Sequence, residues 1–146
     1  MHYYCSEATP ASAIATSNSS LLKFYRDRIF PLFVDRLFGG REFDKIRRRL
    51  VDQATGHVLE VGAGTGANFL CYSSAITSLT TVEPNPGMNR RARPRIRYLD
   101  FPVDTREISC EVLPMKDASF DCAVTTFTLC SLENVEQCLA EIFRVL

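Results

Sequence analysis

His57-Val58-Leu59-Glu60-Val61-Gly62-Ala63-Gly64-Thr65-Gly66-Ala67-Asn68 is the stretch that decides the fold. An apolar run of Val-Leu-Val character leads straight into three glycines, which reads as a strand closed by a glycine turn, with a helix opening near Ala67. Downstream, residues 79–83 read as a second strand that stops at Pro84-Asn85-Pro86-Gly87, because prolines and a glycine cannot continue a ladder. A basic segment follows (Arg90, Arg91, Arg93, Arg95 and Arg97), broken at Pro94. Residues 108–112 and 120–127 read as the third and fourth strands, with Asp117-Ala118-Ser119 turning into the latter. Asn134 caps a terminal helix with Val135, Cys138, Leu139, Ile142, Val145 and Leu146 on one apolar face. Strands alternating with helices imply an α/β fold, a doubly wound parallel sheet built from right-handed crossovers.

Upstream, residues 1–20 hold Ser, Thr or Ala at eleven positions and no hydrophobic periodicity, so they read as a flexible leader. Residues 21–56 read as N-terminal helices. Leu22, Tyr25, Ile29, Phe33 and Leu37 recur at helical spacing, with a kink expected at Pro31 and a stop at Gly39 and Gly40. Residues 41–53 repeat the pattern, carrying Phe43, Ile46 and Leu50 inward and Arg47, Arg48 and Arg49 outward, until Gly56 ends it. Residues 57–146 form the third unit.

One core is all that 146 residues can bury. The chain is 46% hydrophobic and 23% charged, which excludes low-complexity and collagen-like classes. Seventeen basic residues cancel seventeen acidic ones, so no global field gathers nucleic acid or a membrane surface. No apolar stretch approaches a membrane span and the N-terminus lacks a secretory signal. The six cysteines contain no C-x-x-C pair and the two histidines lie far apart, which speaks against a metal site. Cys110, Cys122, Cys130 and Cys138 fall in or beside apolar runs and read as packing thiols, in keeping with a reducing, cytoplasmic setting.

Chemistry concentrates in three features: Glu60 inside the first strand, the glycine turn at that strand's end, and Glu83 at the end of the second. In an open parallel sheet, ligands bind beyond the carboxyl ends of the strands, so the turn and Glu83 face one ligand. Glycines let backbone approach it, and Glu83 can accept two hydrogen bonds from a ribose diol. The turn also fits the G-x-G-x-x-G/A form of a nicotinamide dinucleotide site. Glu60 shifts the balance: a fixed negative charge sits poorly beside a pyrophosphate but well beside an ammonium or sulfonium.

At this point residues 21–146 resemble the class I S-adenosylmethionine-dependent methyltransferases, in the type 11 or ubiquinone/menaquinone-methyltransferase-like branch, with a Rossmann-like sheet. Residues 57–68 look like the family's first motif, and Thr81-Val82-Glu83-Pro84-Asn85-Pro86-Gly87-Met88 like its ribose-binding segment. Glu111-Val112-Leu113-Pro114-Met115 resembles its adenine-side loop. Residues 126–132 and 141–146 also match, and are similar to a subgroup that includes alkyl-thiol methyltransferases. The resemblance implies a cofactor, S-adenosyl-L-methionine, held by Glu60, Gly62, Ala63, Gly64, Thr65, Gly66 and Asn68 on the methionine side. Glu83, Pro84 and Met88 would serve the ribose, Cys110 and Glu111 would border the adenine, and Phe127 with its neighbours would line the transfer site. Ser109 departs from an Asp that many relatives carry. Tyr25 is either part of a lid helix or a core aromatic.

A second departure concerns length. The family sheet runs 3-2-1-4-5-7-6, whereas this chain ends behind strand four, so an incomplete 3-2-1-4 sheet is expected. Strand four would be an open edge, available for self-association. The expected function is methyl transfer to a small-molecule acceptor by in-line displacement, with no general base assigned, no nucleic acid and no integral membrane segment. The alternatives are a non-catalytic, C-terminally truncated methyltransferase fragment and, further off, a nicotinamide-dependent oxidoreductase.

Overall fold

A computed structural model describes residues 20–38 and 40–146; Gly39 and, save Ser20, the leader lie outside them. Four parallel strands, β1 (Gly56–Val61), β2 (Ile76–Val82), β3 (Val103–Arg106) and β4 (Cys122–Thr125), lie in the order β3-β2-β1-β4. β1 pairs Glu60 with Thr81 on one side and with Val124 on the other. The expected parallel sheet and strand order are therefore present.

Side chains of β1 alternate between two cores, as strand geometry requires. Leu59 and Val61 pack with Val82, Leu113, Cys138, Ile142 and Val145. Val58 joins Leu79, Phe69, Ile76 and Ala92 on the opposite face. Helices cover both faces: α3 (Pro86–Ile96) and α4 (Val135–Val145) follow the strands, while α1 (Phe30–Phe38) and α2 (Arg41–Val51) precede them. Asn134 caps α4 by accepting from the Gln137 N–H at 3.0 Å, as its position predicts.

Several local expectations are corrected. No α-helix opens at Ala67. A short 3-10 turn, Phe69–Cys71, stands there, with the Phe69 ring packed where a Cβ on Gly66 would lie. The third strand is Val103–Arg106, a polar edge strand. Residues 108–112 are instead a loop in which Ile108 and Cys110 pack into the core with α4 while Val112 is exposed. The fourth strand is shorter than expected, at Cys122–Thr125. Pro94 lies inside α3 without ending it. Pro31 follows a π-helical turn, Tyr25–Ile29, rather than a sharp kink: the wider turn accommodates the backbone before the proline ring. Gly56 belongs to β1, since α2 stops at Val51.

The largest correction concerns which way the N-terminal helices face. Leu22, Tyr25, Ile29, Phe33 and Leu37 are exposed, as are Ile46 (49%) and Leu50 (56%), whereas Arg47 is 4% exposed. The inward face of α2 runs through Phe43, Arg47 and Val51, a spacing of four that equally satisfies helical periodicity.

Candidate cofactor and acceptor cavity

The carboxyl ends of β1, β2 and β4 open into a cavity of about 530 Å³, roofed by the N-terminal helices. From the glycine turn it takes Gly62, Ala63, Gly64, Thr65, Ala67 and Asn68; from the second strand's end, Glu83, Asn85 and Met88. Thr126, Phe127, Thr128, Cys130 and Ser131 form the wall beyond β4, and Arg26, Phe30, Val34, Phe38 and Arg47 the roof. Of the residues singled out from sequence, Gly62, Ala63, Gly64, Thr65, Asn68, Glu83, Met88 and Phe127 thus meet at one site.

Glu83 fastens two segments. Its carboxylate accepts from the Gly64 N–H at 3.0 Å and the Asn85 N–H at 2.8 Å. Burial pushes its pKa up, and those two backbone donors pull it back. Gly64 has φ +55, and a Cβ there would meet only the Gly62 carbonyl oxygen, at 3.9 Å. Backbone at that point is therefore open to close approach by a ligand.

Glu60 does not line the cavity. Fully buried on β1, it accepts from Asn68 Nδ2 at 2.8 Å and from the Tyr72 hydroxyl at 3.1 Å. Burial pushes its pKa to about 7, opposed by those two hydrogen bonds and the charge of Arg47. Tyr72 is pushed up in turn, first by burial and then by the adjacent Glu60. Asn68 also donates to Thr126 Oγ1 at 2.9 Å, which leaves its Oδ1 buried and without a partner. A buried acceptor in that condition is costly unless a ligand donor meets it.

Gly66, Pro84, Cys110 and Glu111 stand outside this cavity. Cys110 is buried in the core and bridged to Cys138 on α4, with Cα atoms 5.1 Å apart. This corrects the expectation that both are free packing thiols: a spacing of 28 residues carries no pairing signal, and the fold brings them together. The Glu111 carbonyl accepts from Gln137 Nε2. Leu113 N–H donates to Glu141, and Arg144 donates to the carbonyls of Leu113 and Met115, so α4 organises the whole loop. Glu141 sits well below the usual carboxylate range, at about 2, chiefly because Arg144 hydrogen-bonds it. Among the described residues no cluster is arranged to hold a metal ion.

The roof was not found from sequence. Asp35 on α1 accepts from the Thr65 hydroxyl and from Arg91 Nε at 2.7 Å, with Arg95 Nη2 at 3.4 Å. Arg91 and Arg95, two of the five arginines of the basic segment, therefore tie α1 to α3, and Thr65 ties it to the glycine turn. Lower down, Asn85 Nδ2 donates to the Arg26 carbonyl at 3.1 Å. A Cβ on Gly87 would collide with the Asp27 backbone, so only glycine admits the π-helical turn this close. Phe127, in the left-handed region at φ +56, turns its ring against Phe38 (5.2 Å) and Phe43 (5.8 Å). Aromatic spacing on α1 and α2 was the available signal, but only the tertiary fold shows which rings converge.

A doubly wound parallel sheet with a glycine turn and a carboxylate on the next strand defines a nucleoside-binding α/β domain. Comparison with known proteins gives the class. Residues 59–146 match the family model described as "Methyltransferase domain". The thiol S-methyltransferase TMT1A of Homo sapiens is 36% identical over 92 residues, 61% of this chain and 37% of that protein. Thiol S-methyltransferase TMT1B of Mus musculus is 31% identical over 131 residues, 80% of this chain and 53% of that protein. A solved SAM-dependent methyltransferase from Thermotoga maritima superposes with a TM-score of 0.55 at 27% identity, over 90% of this chain and 54% of that one. The chain belongs to the S-adenosylmethionine-dependent methyltransferase family, and spans about half or less of the length of these relatives. The nicotinamide oxidoreductase alternative is set aside by that membership. Among the described residues no helix is long and apolar enough to cross a membrane.

Proposed function

We propose that this chain forms the cofactor-binding part of an S-adenosylmethionine-dependent methyltransferase acting on a small-molecule thiol. The observation that carries the reading is the Glu83 carboxylate on the cavity wall, with Asn68 beside it holding an Oδ1 that is unpartnered and closed to solvent. Glu83 would accept from the ribose hydroxyls, whose diol matches its two oxygens, and Asn68 Oδ1 would serve the α-ammonium once a small side-chain shift uncovers it. Glu60 acts through Asn68 as a positioning residue, since it is buried behind the cavity wall, which Asn68 lines, and is hydrogen-bonded to Asn68.

When bound, S-adenosylmethionine supplies an electrophilic methyl group on a sulfonium. The chain's own contribution is alignment and dryness. Gly62 and Gly64 let backbone come close, Ala63, Thr65 and Met88 complete the floor, and Phe30, Val34, Phe38 and Phe127 keep water out. A thiol acceptor is favoured by the two relatives named above and needs no strong general base once ionised. The same reading includes a cytoplasmic setting, which suits the free thiols at Cys71, Cys122 and Cys130 but not the Cys110–Cys138 bridge, and no nucleic acid partner, since the chain carries no surplus of positive charge. It also includes self-association through β4, which pairs with β1 on one side and with no strand on the other among the described residues.

Calorimetric titration with S-adenosylmethionine, S-adenosylhomocysteine and NAD tests the reading. Saturable binding of the first two and not of NAD is expected, weakened at least tenfold in Glu83→Ala, which loses the ribose acceptor and orphans two N–H groups at about 1–3 kcal/mol each. Binding of NAD alone, or no difference between wild type and variant, would overturn it.

A further inference from the structure

Arg47 is a buried cation whose ion pair is made to a half-exposed carboxylate on its own helix. Its side chain is 4% exposed, and the nearest carboxylate, Asp44 on the same helix, lies 3.4 Å from Nη1 and is itself half exposed. Nη1 also donates to the Phe38 carbonyl at 2.8 Å. Nε and Nη2 make no hydrogen bond, yet they are not sealed in protein. Among the described residues the sealed, unpartnered side-chain atoms are Asn68 Oδ1 and Thr81 Oγ1. The free donors of Arg47 therefore retain accessible surface, and Arg47 lines the cavity shared with Asn68 and Glu83. The rings of Phe43 and Phe127 each stand 6.0 Å from its guanidinium carbon. Such apolar walls weaken screening and strengthen attraction for an anion. A desolvated guanidinium with open donors is suited to an anionic group.

We propose that Arg47 receives the methyl acceptor as an anion, binding an ionised thiol through Nε and Nη2 and favouring the thiolate over the thiol. This rests on the methyl-transfer reading above and names the form in which its acceptor is bound. The acceptor gives its proton to water as it binds. The thiolate lone pair then forms the new carbon–sulfur bond while the methyl–sulfonium bond breaks, its electron pair staying on the cofactor sulfur. Anion and cation become two neutral thioethers, and no further reactant is required. Arg47 thereby does the work for which no general base was found.

Other charges face this corner. Asp44 and Arg48 share α2 with Arg47, Glu60 lies beneath on β1, and Cys71 follows the glycine turn. Asp35 of α1 and Arg95 of α3 line a smaller cavity of about 280 Å³ that Arg47 also borders. Asp35 is engaged by Arg91, Arg95 and Thr65, and Asp44 reaches Arg47 through a single long contact. Burial keeps Glu60 largely neutral below about pH 7. Arg47 thus keeps free donors, and charge that Asp44 only partly offsets, on a residue that lines the cavity.

The test is an absorbance titration of a nitro-substituted aryl thiol, whose thiolate absorbs at longer wavelength than its thiol, bound to the full chain with and without S-adenosylhomocysteine. The bound probe is expected to ionise at least one pH unit lower than the free probe, equivalent to tenfold or greater preference for thiolate. Arg47→Gln should abolish the shift, Arg47→Lys should keep part of it, and Arg49→Gln, at an exposed position, should leave it intact. An unshifted probe, no probe binding, or the same shift in Arg47→Gln would overturn the proposal. Because Arg47→Lys preserves charge, loss of the shift in a misfolded Arg47→Gln is recognised from the lysine variant and its circular dichroism. Failure of S-adenosylhomocysteine to bind would overturn the methyl-transfer reading instead, and is read separately from the probe's ionisation.

Discussion

Asn68 Nδ2 donates to Glu60 Oε1 at 2.8 Å inside the protein, so the acid of the first strand faces the cavity through an amide. The sequence places Glu60 beside the cofactor; the fold buries it under Asn68 and Tyr72 and leaves the amide oxygen as the group on offer. The arrangement explains how a carboxyl survives in a sheet core: its oxygens are hydrogen-bonded and its proton is retained to unusually high pH.

That retention has a consequence for stability. The unfolded chain releases the Glu60 proton near 4.5, while the native state holds it to about 7. Between those values the native state binds more protons, so stability falls as pH rises through the window and levels off above it. The span corresponds to about 3 kcal/mol. Denaturant unfolding from pH 4.5 to 8 should show the decline, and Glu60→Gln should remove it. An equally steep decline in the variant would assign it to other groups.

Asp35 gives a second prediction. Asp35→Ala deprives Thr65, Arg91 and Arg95 of their common acceptor and should free α1 from the glycine turn while sparing the sheet. The cost is expected near 1–2 kcal/mol for a largely buried pair of charge-assisted bonds. Hydrogen exchange should quicken across residues 30–38 and stay unchanged in β1 and β2. Equal acceleration in both regions would mean that the lid and sheet open as one unit.

The Cys110–Cys138 bridge gives a third. Alkylation of the unfolded, unreduced chain should label Cys71, Cys122 and Cys130 and spare Cys110 and Cys138, as read by peptide mass spectrometry. Closing a loop of this length is worth about 3–4 kcal/mol in the chain-entropy account, so reductant should lower the melting temperature by several degrees. Labelling of Cys110 and Cys138 before reduction would return them to packing thiols.

What could be read from residue order was whatever local chemistry determines. The glycine turn, the paired acids Glu60 and Glu83 and the cap at Asn134 depend on short motifs, and the β3-β2-β1-β4 order followed from the family resemblance that those motifs carry. The facing of α2 did not follow, because Ile46 and Leu50 compete with Arg47 and Val51 for one inward stripe and hydrophobicity alone favours the former. Packing beside Phe127, eighty residues away, decides for Arg47. The third strand was misplaced for a related reason. Val103-Asp104-Thr105-Arg106 is polar because it forms an edge, whereas Ile108 and Cys110 are apolar because they pack into the core with α4.

Asn85 is the residue where these parts join. Its Oδ1 accepts from the first N–H groups of α3, its own N–H donates to Glu83, and its Nδ2 holds the Arg26 carbonyl of the roof. A continuous line of hydrogen bonds therefore runs from the Gly64 N–H through Glu83 and Asn85 to the lid backbone. Occupancy at one end and posture at the other share a free energy: whatever a bound ribose does to the closing equilibrium, closure must do in equal measure to the affinity for that ribose.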